Sequence, residues 1–355
     1  MGESVQRIRE RSIKSWMRRG LICLLLACAF LFTSACTGDA GTSPGVSTPP
    51  GQTDLPPEET PGKQPGRDNT PQVLLPTAST GTDVFENEYV RLDYGNRAKG
   101  YVIATYKGSD PAGKKLQIAK WSDSTNEYSE SVGYSLDCLP GEDVVVALTQ
   151  GNGKYYIRLY ERDEENHVVT LGGKEVSVTL EDAFLPFLYP SKMVHFAAED
   201  EAIALSKKLA DDAGAKNEYD VAVAIYKYVI RNIGYDKNRK AEQGGTLKWY
   251  YVDIDKVVAE RKGICYDYAV LTTAMLRAQG IPTRMIIGRV NENSEVTHAW
   301  IEIWSETTQT WNNVLRLRAG EYTLNDPTHA AAGTSATELV DRIGDGEHYF
   351  QLYVY

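Results

Sequence analysis

The sequence has little of what metal and redox chemistry use: five cysteines and five histidines in 355 residues. His167, His195, His298, His329 and His348 show no paired spacing, and no acidic loop of the calcium-binding type occurs, so neither a metal nor a cofactor is expected. Basic excess is also missing. The net charge is −10, which excludes nucleic acid as a partner, because phosphate binding needs Lys and Arg clustered on one face. The N-terminal apolar run, Leu21 to Thr33, holds about thirteen residues, short of the roughly twenty that span a bilayer. No internal repeat is apparent. What is present is ordinary for a globular protein, with 42% hydrophobic and 24% charged residues, and the length suits two domains plus accessory segments.

Residues 1–35 carry Arg7, Arg9, Arg11, Lys14, Arg18 and Arg19 against Glu3 and Glu10, so the rest of the chain stands at −14. A basic stretch, a short apolar run and small residues before a break read as an export signal. Because the break falls before a cysteine, the segment resembles a bacterial lipoprotein signal with Thr33-Ser34-Ala35-Cys36 as its lipobox, Thr33 standing where an aliphatic residue is usual. Leu25-Leu26-Ala27-Cys28 fits the box better locally but would leave an h-region of about seven residues and an apolar mature N-terminus. A retained single-pass anchor would give the same topology. The resemblance implies lipid on Cys36 and a place on the outer face of the cytoplasmic membrane or in the cell envelope. Residues 36–80 are the expected tether: between Thr37 and Thr80 lie nine of the fifteen prolines and no aromatic residue, and such chain is an extended, solvated spacer.

Residues 81–190 are expected to form a β-rich domain. Tyr101–Tyr106, Val144–Leu148, Tyr155–Tyr160, Val168–Leu171 and Val176–Leu180 are β-rich runs separated by Asp110-Pro111, Pro140-Gly141, Gly151-Asn152-Gly153 and Gly172-Gly173. Roughly seven strands in about 100 residues predict an antiparallel sandwich. It contains no evident chemistry, and His167 reads as a solvated loop residue. Residues 191–355 form the second domain. There the apolar period switches to 3.6: Ala202, Leu205 and Leu209 share one helix face, and Ala222, Ile225, Tyr226, Val229 and Ile233 another. Ile264, Tyr268, Leu271, Met275 and Ala278 define a third helix, stopped by Gly280 and Pro282. Strand patterns return at Met285–Val290, His298–Trp304, Trp311–Leu317 and Tyr322–Asn325. Helices leading into an antiparallel sheet make an α+β fold.

Three residues of this second domain belong together. Cys265 opens a helix, where the partial positive charge of the N-terminus favours thiolate chemistry, and Gly263 leaves the approach to the sulfur open. His298 opens a strand on the same face as Trp300, Glu302 and Trp304. Asp326 ends a later strand. A positioned imidazole can move protons worth about 10²–10⁴-fold in rate, and a carboxylate on its far nitrogen would fix the tautomer.

Gly263-Ile264-Cys265-Tyr266-Asp267-Tyr268-Ala269, Gly280-Ile281-Pro282-Thr283-Arg284 with Gly288, His298-Ala299-Trp300 and Asp326-Pro327-Thr328, in that order, resemble the core of the transglutaminase-like superfamily, related to papain-like cysteine peptidases. The resemblance covers about residues 195–330. It implies a transglutaminase-like, papain-like core of a helical layer against an antiparallel sheet, with Cys265 as nucleophile, His298 as base and Asp326 as orienting acid. A thioester formed with Gln or peptide-type amides would then pass to an amine, or to water. Protein, peptide or cell-envelope amides would be the substrates. The alternative is a catalytically silent module that binds peptide or envelope partners in the same cleft.

His298 and Asp326 are 28 residues apart, longer than in many members, which predicts an added hairpin with Trp311–Leu315 as one arm and Gly320–Tyr322 leading into the other. Were that hairpin absent, Asn313 would be the substitute acid. Trp300 is expected to shield the His298–Asp326 bond, Tyr268 to be core, Asp267 to complement the helix dipole and His329 to lie in a loop. The oxyanion donors are the Cys265 N–H and an unchosen side chain between Tyr235 and Tyr251.

Overall fold

Segments with β-branched, aromatic and leucine residues form the first eight strands: β1 (Val84–Glu86), β2 (Val90–Asp93), β3 (Tyr101–Tyr106), β4 (Lys114–Ser122), β5 (Glu127–Cys138), β6 (Asp143–Ala147), β7 (Gly153–Arg162) and β8 (Val168–Val178). They make two four-stranded sheets, β1-β2-β3-β6 and β5-β4-β7-β8, with every pair antiparallel. Val90, Leu92, Val102 and Ala104 of one sheet share a core with Leu116, Ile118, Ile157 and Leu159 of the other. That is the expected sandwich, with its alternating inward face. The computed structural model describes residues 67–239, 250–291, 294, 296–306, 308–312, 314–318, 321–324, 326–332 and 349–355. The export segment, Cys36, the tether as far as residue 66, Asn313 and His348 lie outside the described residues.

Residues 67–79 have no regular structure, yet their polar groups are engaged. Arg67 donates to the Gln279 side chain at 3.0 Å and Asn69 to Asp211 at 3.0 Å, while the Gln72 amide donates to the Ala278 carbonyl at 2.8 Å. Farther on, the Thr77 amide donates to the Tyr101 hydroxyl and the Ser79 amide to Asp93. Composition alone reads this stretch as spacer.

The 3.6-residue period gives α1 (Glu201–Asp212) and α2 (Glu218–Asn232). Asn217 caps α2 by accepting from the Asp220 amide at 2.9 Å, and Val221, Ala222, Ile225, Tyr226 and Val229 are buried along it. A two-residue parallel pair, β9 (Gly234–Tyr235) with β10 (Lys262–Gly263), brackets α3 (Ile254–Glu260). Then comes α4 (Cys265–Ala278), ended by Gly280 at φ +75°, a conformation glycine adopts without a Cβ penalty.

All fourteen residues of α4 are buried. The periodicity predicted one apolar face, but this helix is enclosed by α1, α2, α3 and the sheet, as a helix at the centre of a domain must be. Its polar groups are consequently paired inside: Arg277, 1% exposed, gives its guanidinium N–H groups to the carbonyls of Thr283, Tyr189 and Tyr355. That satisfies the requirement that a buried donor be matched.

The sheet beside α4 has the order β13-β12-β11-β16, from β11 (Thr283–Val290), β12 (Thr297–Ser305), β13 (Thr310–Asn312) and β16 (Tyr349–Val354). β14 (Val314–Arg318) and β15 (Glu321–Leu324) pair as a separate antiparallel hairpin, and α5 (Pro327–Ala332) follows. The expected first arm is divided: Trp311 belongs to β13 on the main sheet, and the hairpin proper starts at Val314. Among the described residues no helix is long and apolar enough to cross a membrane.

Candidate active site

Cys265 is the first residue of α4, preceded by Ile264 in extended conformation. An isoleucine cannot cap a helix, so the Ile264 amide is satisfied from within: Asp267, three residues on, accepts it at 2.7 Å. This is half of a capping box. Asp267 is fully buried and also accepts from the Tyr250 hydroxyl at 2.8 Å and from Arg239 at 3.0 Å. Gly263 has a steric reason different from the open approach suggested by its position. A Cβ there would fall 2.7 Å from the Asp267 Cβ, so glycine makes room for the carboxylate that holds the helix start. Cys265 is 7% exposed, and both Cys138 and Cys265 are free thiols.

His298 stands on β12 opposite Gly288 of β11. Its Nε2 donates to Asp326 Oδ2 at 2.6 Å, which leaves Nδ1 free, and Cys265 lies close enough to act on the imidazole. Asp326 is the residue before α5, with no exposed side-chain surface. Burial lowers the His298 pKa, but the Asp326 charge, the hydrogen bond to it and the contact with Cys265 outweigh burial and raise it. Burial likewise pushes the Asp326 carboxyl up, and His298, followed by His329, more than reverses this, holding it well below the usual carboxylate range. The two residues thus form a charged pair, His298 carrying the proton.

Trp300 is 3% exposed and stacks at 24° to the His298 ring with centroids 6.3 Å apart. Its position depends on Gly288, where a Cβ would meet Trp300 Cη2 at 2.4 Å and the Phe350 carbonyl oxygen at 2.1 Å. The sequence thus places Cys265, His298, Asp326 and Trp300, and the fold brings all four to one place.

Three contributors are less visible in the sequence. Tyr235 on β9 lies in register with Gly263. Its phenol is pushed up to about 12 by burial and then by its proximity to Cys265 and Asp326, so it is a donor at neutral pH; Tyr250, at the other end of that connection, is committed to Asp267. His329 lies in α5, not in a loop, stacked on His298 at 4.8 Å and 20°, and its backbone N–H donates to Asp326 Oδ1 at 3.0 Å. The spacing of three from an Asp that starts a helix is a capping signal, and it could have found this residue. Tyr349 on β16 donates to Asp326 Oδ2 at 2.8 Å, with no local signal to mark it.

Ligand atoms of His298, Asp326 and His329 lie within 4.8 Å of one another, close enough for a shared cation in principle. Here the space between them is taken up by the hydrogen bonds just described, which suits proton chemistry better than ligation.

Residues 207–314 match the transglutaminase-like superfamily core, a stretch that includes Cys265 and His298 and stops twelve residues before Asp326. No curated protein matches the chain. Among solved structures, a candidate cysteine protease of Cytophaga hutchinsonii overlaps 68% of this chain and 76% of its own at 15% identity and TM-score 0.34. Red sea bream transglutaminase overlaps 68% of this chain and 53% of its own at 12% identity and TM-score 0.28. A candidate protease of Parabacteroides distasonis overlaps 50% and 32% at 16% identity and TM-score 0.27. On the match over residues 207–314, this chain carries a transglutaminase-like core, with the buried thiol and its histidine partner inside it.

Proposed function

We propose that the protein is an exported, lipid-anchored thiol enzyme that forms a thioester at Cys265 with a Gln side-chain or peptide-type amide and transfers the acyl group to an amine or to water. The observation that carries this reading is the buried cluster of Cys265, His298 and Asp326, with 2.6 Å between Nε2 and the carboxylate. A module that only binds has no use for a protonated imidazole held between a thiol and a buried carboxylate.

In the first half-reaction the Cys265 sulfur, its own proton being the one that His298 carries, bonds to the amide carbon and the carbon–nitrogen bond breaks, with that proton going from His298 to the departing nitrogen. In the second, the now neutral His298 takes a proton from the incoming amine or water as that nucleophile displaces the sulfur. The pair is thereby restored. Negative charge on the substrate oxygen would be met by the Cys265 backbone N–H and by the Tyr235 hydroxyl, which lies close enough to Cys265 to be affected by it. Donors aimed at such an oxyanion are each worth about 10²–10³-fold.

Incubating the full chain with a Gln-containing protein and a labelled primary amine tests the reading. Incorporation with ammonia release is the expected signature of transfer, and ammonia alone that of hydrolysis. Neither product, together with Cys265 alkylation by iodoacetamide that is unchanged by His298→Ala, would leave a silent binding cleft. The anchor has its own measurement: mass spectrometry of the exported protein should find an N-terminus at a lipid-modified Cys36, and an unmodified Cys36 within an uncleaved chain would refute it.

A further inference from the structure

Asp326 has more partners than an orienter of His298 needs. Its Oδ2 accepts from His298 Nε2 at 2.6 Å and from the Tyr349 hydroxyl at 2.8 Å. His329 Nδ1 lies 3.1 Å from the same oxygen and 2.9 Å from the Tyr349 hydroxyl. Proton counting sets the directions: Tyr349 has one hydroxyl proton, which goes to Asp326, so its oxygen accepts from His329 Nδ1–H. The result is a relay from His329 through Tyr349 to the carboxylate that faces His298.

The placement follows from strand register. β16 and β12 flank β11, with Val290 opposite Tyr349 and Gly288 opposite His298. Cross-strand partners share a face and residues 288 and 290 share one too, so Tyr349 and His298 emerge side by side with ring centroids 6.4 Å apart. The Trp300 ring meets Tyr349 edge-on at 5.0 Å and 81°. Burial first, and then the neighbouring Asp326 charge, keep the Tyr349 phenol protonated far into alkali, so its donation is constant across the working range. The other groups nearby are Cys265, Tyr235 of β9 and Tyr226 of α2.

We propose that Tyr349, backed by His329, is a positioning residue for the thiol chemistry, holding the Asp326 carboxylate so that Oδ2 faces His298 Nε2 and the imidazole presents Nδ1 to Cys265. This rests on the thiol-enzyme reading above. A carboxylate torsion is broad and nearly two-fold. The His298 ring and the His329 backbone N–H give one bond each, to Oδ2 and Oδ1, and the Tyr349 hydroxyl from β16 adds a second donor on Oδ2.

The test is Tyr349→Phe, which keeps the ring against Trp300 and removes the relay. Turnover should fall about tenfold with KM within about twofold, the scale on which partners that orient a functional group act. The pH midpoint of His298, read from the pH dependence of Cys265 alkylation by iodoacetamide, should drop by about one unit, because a turned carboxylate supports the imidazolium less. In an Asp326→Asn background the same substitution should add nothing, since coupled residues are not additive. An unchanged midpoint and turnover with only a lower melting temperature would make Tyr349 a packing residue, and additive losses would equally overturn the proposal. Should Tyr349→Phe fail to fold, His329→Ala should reproduce the shift and His329→Gln, which restores a donor, should reverse most of it; equal behaviour of the two rejects the relay. Wild-type alkylation that ignores His298→Ala would overturn the thiol-enzyme reading itself, whereas His298-dependent alkylation that ignores Tyr349 overturns the positioning role alone.

Discussion

Asp326→Asn is expected to lower kcat/KM by about 10³–10⁴-fold while leaving the chain folded, the scale seen when the acid of such a triad becomes an amide. The asparagine amide can donate to His298 Nε2, and the ring must then place its proton on Nδ1, facing Cys265. In the second half-reaction, where the neutral ring must act as base, a proton already on the working nitrogen leaves no place for the one from the amine or water. The stability of the variant should differ from wild type in a pH-dependent manner. His298 has a raised pKa in the folded protein, so its contribution is whole below the ordinary imidazole value of about 6.5 and is lost as pH rises through the folded value. Asp326 has a lowered one, so its contribution is whole above about 3.9 and is lost as pH falls through the folded value. The two are one interaction, counted once. The melting-temperature gap between wild type and Asp326→Asn should therefore be widest between about pH 4 and 6.5 and narrow toward pH 9. A gap independent of pH, or activity within tenfold of wild type, would contradict the charged pair.

Asp267→Ala should cost more stability than any other single change near the site, about 1–3 kcal/mol for the buried Ile264 N–H left without an acceptor and a further loss for the Tyr250 hydroxyl, while Arg239, 29% exposed, can turn to water. One carboxylate there does three jobs: it caps the Ile264 amide, accepts from Tyr250 and pairs with Arg239. Truncation leaves a buried N–H without its acceptor and a guanidinium without its anion. Natural domains have only about 5–15 kcal/mol in hand, so the variant should unfold at markedly lower urea with an unchanged slope. Asp267→Asn keeps an acceptor for the amide and should lose less. A loss below 1 kcal/mol in Asp267→Ala would show that Arg239 and Tyr250 find other partners and that the helix start is held by packing.

How far the sequence discloses this site depends on how local each contact is. Cys265, His298 and Asp326 announce themselves through element boundaries, and Asp267 through its place in the first turn of α4. The hairpin shows in the sequence because the 28 residues between His298 and Asp326 exceed the spacing of many members of the family they resemble, although the sequence pattern starts its first strand three residues early, where Trp311 completes the main sheet. His329 reads as a loop residue in the sequence because α5 has six residues, too few for a periodic pattern. Tyr349 could not be found at all: its partner is 23 residues away, and its approach depends on the bulge in the β11–β16 pairing after Ile287, which no composition encodes. The burial of α4 on every side is similarly a property of its neighbours. A five-residue apolar stripe gives no hint that Thr272, Thr273 and Arg277 are also enclosed.

The strap formed by residues 67–79 has a mechanical meaning. A pull applied at residue 67 does not first reach the sandwich; it bears on Arg67 at Gln279, Asn69 at Asp211 and Gln72 at Ala278, all at the far end of α4 from Cys265 or on the adjoining helix α1. Only when those contacts have opened does the load pass to Thr77 and Ser79 on β3 and β2. Tension would thus be spent on peeling a short extended segment, one hydrogen bond after another, from the end of α4 that lies farthest from the thiol.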